Sequence, residues 1–130
     1  MMKVTVIYGN PKNAEQFESY YKETHLPLAA KIKGLSRAEF TKFMPGPDGA
    51  QPAFYRMAEL YFSNAAQMQQ SLSSPEGQAA VADIPKFATG GVNMVIGSVE
   101  GLASKDRKQW TAHLPSSKRA PRMQALSRAW

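Results

Sequence analysis

The sequence predicts an α+β domain in which a four-stranded antiparallel sheet carries helices on one face. Three observations predict it. Four short runs are rich in β-branched and aromatic residues. Stretches between them show helical spacing with cap residues at their starts. Glycine or proline punctuates the runs.

Met2 to Tyr8 reads as a buried strand that Gly9-Asn10-Pro11 stops. Asn13 is placed to cap a helix, with Gln16 three residues on as a capping-box partner. Phe17, Tyr20, Tyr21 and His25 recur at helical spacing, so the first helix runs from Ala14 to about Thr24. Pro27 disfavours helical geometry at Leu26, which predicts a break near His25. Leu28 to Ile32 resumes as a turn of helix, and Gly34 ends it.

Leu35 to Met44 reads as the second strand, and Pro45-Gly46-Pro47-Asp48-Gly49 as a loop. Phe54 to Phe62 is the third strand, with Tyr55, Met57 and Tyr61 expected on one face. Ser63 or Asn64 caps a second helix to about Leu72. Ser73-Ser74-Pro75-Glu76 opens another helical segment, with Pro75 suited to its first turn. Gly90-Gly91 then breaks the chain, and Val92 to Val99 is the fourth strand.

The order β-α-β-β-α-β is the ferredoxin-like pattern. Helices cover one sheet face. The strands read as apolar on both faces: Val92, Met94 and Ile96 on one, Val95 and Val99 on the other. A monomer would leave one such face wet, and exposed apolar area of that extent marks an interface. A homodimer closing sheet against sheet buries it; a tail folded over the sheet is the alternative.

A chain of 130 residues, 43% hydrophobic, suits one domain with a real core. The absence of cysteine removes disulfides and thiolate chemistry. No apolar run approaches the ~20 residues that span a bilayer, and the N-terminal run is short for a signal peptide. The expected location is therefore the cytoplasm. The net charge of +6 belongs to the tail. Residues 1–101 hold nine Lys or Arg and nine Asp or Glu, whereas 102–130 hold seven Lys or Arg against Asp106 alone. The expected organisation is a folded domain over 1–101 and a basic C-terminal tail over 102–130, disordered or docked through Trp110 and Trp130.

Two separated motifs resemble one family. Tyr20-Tyr21-Lys22-Glu23-Thr24-His25-Leu26-Pro27-Leu28-Ala29 is similar to the signature that ends the first helix of EthD proteins. Ala82-Asp83-Ile84-Pro85-Lys86-Phe87, followed by Gly90-Gly91-Val92, resembles their second signature. The resemblance covers residues 1–101 and not the tail. It implies a dimeric α/β barrel. The family is named for a role beside a cytochrome P450 system that degrades ethyl tert-butyl ether. Similar barrels include cofactor-free enzymes that cyclise, dehydrate, isomerise or oxygenate polyketide-like and aromatic substrates. Related barrels also include haem proteins, which leaves a haem on His25 open.

The residues themselves point to proton transfer. An imidazole titrates near neutral pH, so His25 suits a general base or acid. Asp83 can accept its other N–H and set the tautomer. A tyrosine hydroxyl can donate to a developing oxyanion, and Tyr21, at i−4 from His25, is the candidate by spacing. The blander readings are a helix-end histidine, a solvated carboxylate and a core tyrosine. No metal-ligand spacing appears; His113, the other histidine, lies in the tail. Gly90-Gly91 precedes a strand and is no phosphate loop.

The expected function is a small cofactor-free enzyme, in a degradation or biosynthetic pathway, acting on a small apolar carbonyl or aromatic compound. His25, Asp83 and Tyr21 carry the reaction, with no cofactor and no metal. The first alternative is a non-catalytic ligand-binding subunit serving an oxygenase. The second is an interaction module using the basic tail. Nucleic acid is the weakest of the partner readings, since Lys118-Arg119-Ala120-Pro121-Arg122 is a short basic run and no RNA-binding aromatic pattern marks the strands.

Overall fold

The computed structural model describes residues 1–101 and orders the sheet β2-β3-β1-β4. Its strands are β1 (Met2–Tyr8), β2 (Arg37–Lys42), β3 (Arg56–Phe62) and β4 (Val92–Ser98). Every neighbouring pair is antiparallel, which is the ferredoxin-like arrangement. The helices are α1 (Ala14–Tyr20), α2 (Leu26–Ala30), α3 (Ala65–Ser73) and α4 (Pro75–Asp83). Among the described residues no helix is long and apolar enough to cross a membrane. The basic tail over 102–130, with its tryptophans and its docking and nucleic-acid readings, lies outside the described residues.

The cap signals operate as their chemistry demands. Asn13 and Asn64 accept from the backbone N–H groups of Gln16 and Gln67, opening α1 and α3. Ser74 accepts from Gly77 N–H, and Pro75 fills the first turn of α4. Gly77 is obligatory at that corner, because a Cβ there would lie 2.2 Å from the Ser71 carbonyl oxygen. Gly90 passes equally close to Asn10, so β4 can enter beside the end of β1.

The break expected at Pro27 is absent. The chain instead widens into a π-helical turn, Tyr21–His25, and continues as α2. The Leu26 N–H reaches five residues back to the Tyr21 carbonyl, and Leu26 stays helical at φ −60°. In a regular turn the proline ring collides with the carbonyl four residues earlier. The wider turn removes that collision, so no break is needed. π-turns of this kind concentrate at functional sites.

The core lies between the sheet and the helices. Val4, Val6 and Tyr8 of β1 and Ala58, Leu60 and Phe62 of β3 face Phe17, Tyr21, Met68, Ile84 and Phe87. Full burial of a side chain such as Phe62 contributes about 1.5–3 kcal/mol. The register sets Val92, Met94 and Ile96 on this same face. They lie on an edge strand and stay 40–58% exposed.

The opposite face is not the apolar surface expected from the strand composition. Ile7, Met57 and Val95 cluster on it, but its other end is charged. Lys3 pairs with Glu59 at 2.8 Å, Arg37 with Glu39 at 3.0 Å, and the Tyr61 hydroxyl donates to Glu39. β1 spans Met2–Tyr8 as expected, whereas β2, β3 and β4 are shorter than expected. β3 begins at Arg56, so Tyr55 leaves the alternation and packs edge-on against Phe17, away from Tyr61. The alternation in the sequence predicts that it shares that face.

One ion pair ties α1 to the sheet. Arg56 donates to both carboxylate oxygens of Glu18, at 2.8 and 2.6 Å, and Lys42 lies 3.6 Å away. The hydrogen bonds from Arg56 hold the Glu18 carboxyl down at about 2, against an ordinary 4.5. A depressed carboxyl stabilises the fold above the unfolded value and loses that contribution as pH falls through the folded one. Glu18→Gln is expected to cost about 1–2 kcal/mol at pH 7. It is also expected to flatten the loss of stability between pH 4.5 and 2 in urea titrations. An unchanged acid limb would contradict this assignment.

Candidate active site

The π-turn places His25 on the buried side of the helix. Tyr21 stacks on it, ring centroids 5.7 Å apart, and Phe87 packs on it at 4.6 Å. His25 is 6% exposed and Asp83, on the last turn of α4, is 4% exposed. The two residues are 58 positions apart in sequence, yet His25 Nδ1 lies 3.0 Å from Asp83 Oδ2. The Tyr20 hydroxyl donates to Asp83 Oδ1 at 2.6 Å, and Lys86 Nζ stands 3.9 Å from that oxygen. Both carboxylate oxygens are therefore satisfied, as a buried carboxylate requires.

This geometry defines the tautomer. A carboxylate only accepts, so Nδ1 carries the proton and Nε2 keeps its lone pair. Burial lowers the His25 pKa below its ordinary 6.5, and the bond to Asp83 opposes that only in part. At neutral pH the imidazole is thus an uncharged base.

His25 lines a narrow cavity of about 30 Å³ between helices and sheet; Asp83 does not. The walls are Val4, Val6 and Tyr8 of β1, Ala58 and Leu60 of β3, and aliphatic side chains of the helices. Met94 and Val81 also line it, yet are 43% and 42% exposed, so they mark the mouth. A volume of that size holds one or two waters. It has no room for a haem.

The sequence-derived trio meets in part. His25 and Asp83 come together. Tyr21 touches His25 with its ring, while its hydroxyl is buried without a hydrogen-bond partner among the described residues, and its residue is not on the cavity wall. Burial pushes that phenol up to about 12. An orphaned buried donor costs about 1–3 kcal/mol. Tyr21→Phe is therefore expected to raise stability by about 1 kcal/mol, read from the urea midpoint. Loss of turnover in a well-folded Tyr21→Phe protein would instead tie its hydroxyl to the reaction.

Tyr20, Tyr8 and Phe87 join the site without being among the residues that the sequence predicts for it. Tyr20 sits about 100° from Tyr21 around the helix, which is what turns it towards Asp83. Tyr8 had a legible signal, since Val4, Val6 and Tyr8 alternate onto one face. The role of Phe87 as the wall shared by His25 and Tyr20 depends on the fold.

The family model of the EthD domain matches residues 11–91, a span containing the π-turn, His25 and Asp83. The chain belongs to the EthD family. It is 39% identical over 95 residues to an uncharacterized 11.0 kDa protein in the thcB-thcC intergenic region of Rhodococcus erythropolis. That match covers 73% of this chain and 91% of the relative. A crystal structure of an EthD family protein from Bacillus halodurans C-125 shares 33% identity and superposes with a TM-score of 0.71. It covers 76% of this chain and 98% of that one. SnoaB of Streptomyces nogalater, described as a cofactor-independent oxygenase, shares the fold at 13% identity and a TM-score of 0.55. There the overlap is 80% of this chain and 96% of SnoaB. In this EthD protein the Tyr20–Asp83–His25 chain joins the two motifs that mark the family resemblance in sequence.

Proposed function

We propose that this EthD protein is a cofactor-free enzyme that moves a proton on a small, largely apolar carbonyl or aromatic compound. One observation carries the reading: a buried imidazole, held through Nδ1 by Asp83, borders an apolar cavity. Nε2 of His25 takes a proton from the carbon or oxygen acid. The imidazolium that forms lies beside the Asp83 carboxylate, which stabilises it. A water-poor wall strengthens that interaction. Cyclisation, dehydration and oxygenation can each begin with such a deprotonation. The cofactor-independent oxygenase described for SnoaB supports this choice at the level of fold alone.

A homodimer closing over Ile7, Met57 and Val95 belongs to the same reading. The second reading, a ligand-carrying subunit for an oxygenase, draws support from the aliphatic cavity wall, and needs the cavity without the base.

The test is deuterium incorporation from D2O into small enolisable ketones, followed by proton NMR. Exchange beside the carbonyl is expected with the wild-type protein and not with His25→Ala. The rate should stay flat through neutral pH and fall only below 6.5, because the active form is the unprotonated imidazole. Equal exchange in both proteins would defeat the enzyme reading and leave the carrier.

A further inference from the structure

The five tyrosines of this chain divide by what their hydroxyls meet. Tyr20 and Tyr61 donate to carboxylates, those of Asp83 and Glu39, and Tyr55 packs edge-on against Phe17 with Lys42 over its ring. Tyr21 is sealed. Tyr8 differs from all four, because it lines the cavity beside His25, where these two are the polar side chains on the wall.

Tyr8 is also well held. It is 1% exposed, and its ring meets Phe17, Tyr21 and Phe87 with centroids 5.4–5.7 Å apart. Burial, with Tyr21 and Asp83 nearby, raises its pKa, so the phenol stays protonated and remains a donor. With its proton on Nδ1, His25 can only accept through Nε2. The wall thus carries one residue able to accept and one able to donate on an otherwise aliphatic surface, the usual way an apolar pocket orients a ligand.

We infer that Tyr8 is the hydrogen-bond donor to a substrate oxygen, and that the site takes a neutral molecule with one carbonyl or phenolic oxygen on an apolar body. This rests on the proton-transfer reading above. The cavity of about 30 Å³ accepts the oxygen and its adjoining carbon, while the apolar remainder lies across Val81 and Met94 at the mouth. As His25 removes the proton, negative charge develops on the oxygen that Tyr8 holds.

The experiment uses cyclohexanone and methylenecyclohexane, which share a shape but differ in the acceptor oxygen. Binding is titrated, and the carbonyl stretch of the bound ketone is read by infrared difference spectroscopy. Wild-type protein is expected to prefer the ketone by roughly tenfold, with the stretch lowered relative to an apolar solvent. Tyr8→Phe keeps the ring and its packing. It should lose the preference and the lowered stretch while binding the hydrocarbon as before. An unlowered stretch in wild-type protein overturns the inference without any variant. So does an unchanged preference in Tyr8→Phe. His25→Gln separates this inference from the reading beneath it, since ketone binding should persist there while deuterium exchange vanishes. Failure of wild-type protein to bind either probe would remove both.

Discussion

His25→Ala is expected to lower turnover of a confirmed substrate by about 10²- to 10⁴-fold, the usual contribution of one positioned proton-transfer group. The loss should fall on kcat, with KM changed little. His25 contributes one side of a cavity whose remaining wall is mostly aliphatic, and that wall survives the substitution. Apolar contact is the same in ground and transition states, so it sets KM rather than kcat. The truncation leaves Asp83 with Tyr20 as donor and Lys86 at 3.9 Å, so the carboxylate is not orphaned. Measurement of kcat and KM alongside thermal stability separates loss of the base from loss of the fold. A fall in turnover of less than threefold, in a protein that folds and binds, would show that the proton goes elsewhere.

Asp83→Asn is the second large effect. The carboxylate can only accept from Nδ1, which leaves the lone pair on Nε2. An amide at the same place can donate to Nδ1. The proton then moves to Nε2, and the imidazole faces the cavity with a donor instead of a base. Turnover should fall by about 10²- to 10⁴-fold, as it does when a triad carboxylate becomes an amide. The carboxylate also favours the charged imidazole, both through the hydrogen bond and by its charge. Without it the His25 pKa should drop further, and the acid limb of any residual rate should move to lower pH. Nitrogen-15 NMR of the imidazole reads both tautomer and pKa. A retained Nδ1–H tautomer with retained turnover would free Asp83 of the orienting role.

Local chemistry made much of this protein legible. The Asn13–Gln16 cap, the Ser74-Pro75 start and the Gly90-Gly91 break involve residues that are neighbours in sequence, and all three appear where expected. Family resemblance selected His25 and Asp83, which the fold brings to 3.0 Å. The expectation for Pro27 failed for a physical reason. A pre-proline preference is a local bias, whereas burial of Tyr21 and His25 on one helix face rewards keeping the chain helical through a wider turn. The open sheet face failed for another. Strand composition does not reveal that Lys3 and Glu59 lie on neighbouring strands and neutralise each other there.

By itself, then, the sequence determined the element order, the caps that start the helices and the two motifs that place this chain in its family, because these depend on residues close together along the chain. Only the tertiary structure decided which tyrosine serves which partner. Tyr20 and Tyr21 differ by one position, yet one meets Asp83 and the other is sealed; Tyr8 reaches the cavity from the far side of the core. Hydroxyl direction is set by helix phase, strand register and the packing of distant rings, and those quantities exist only once the sheet and helices have closed on each other.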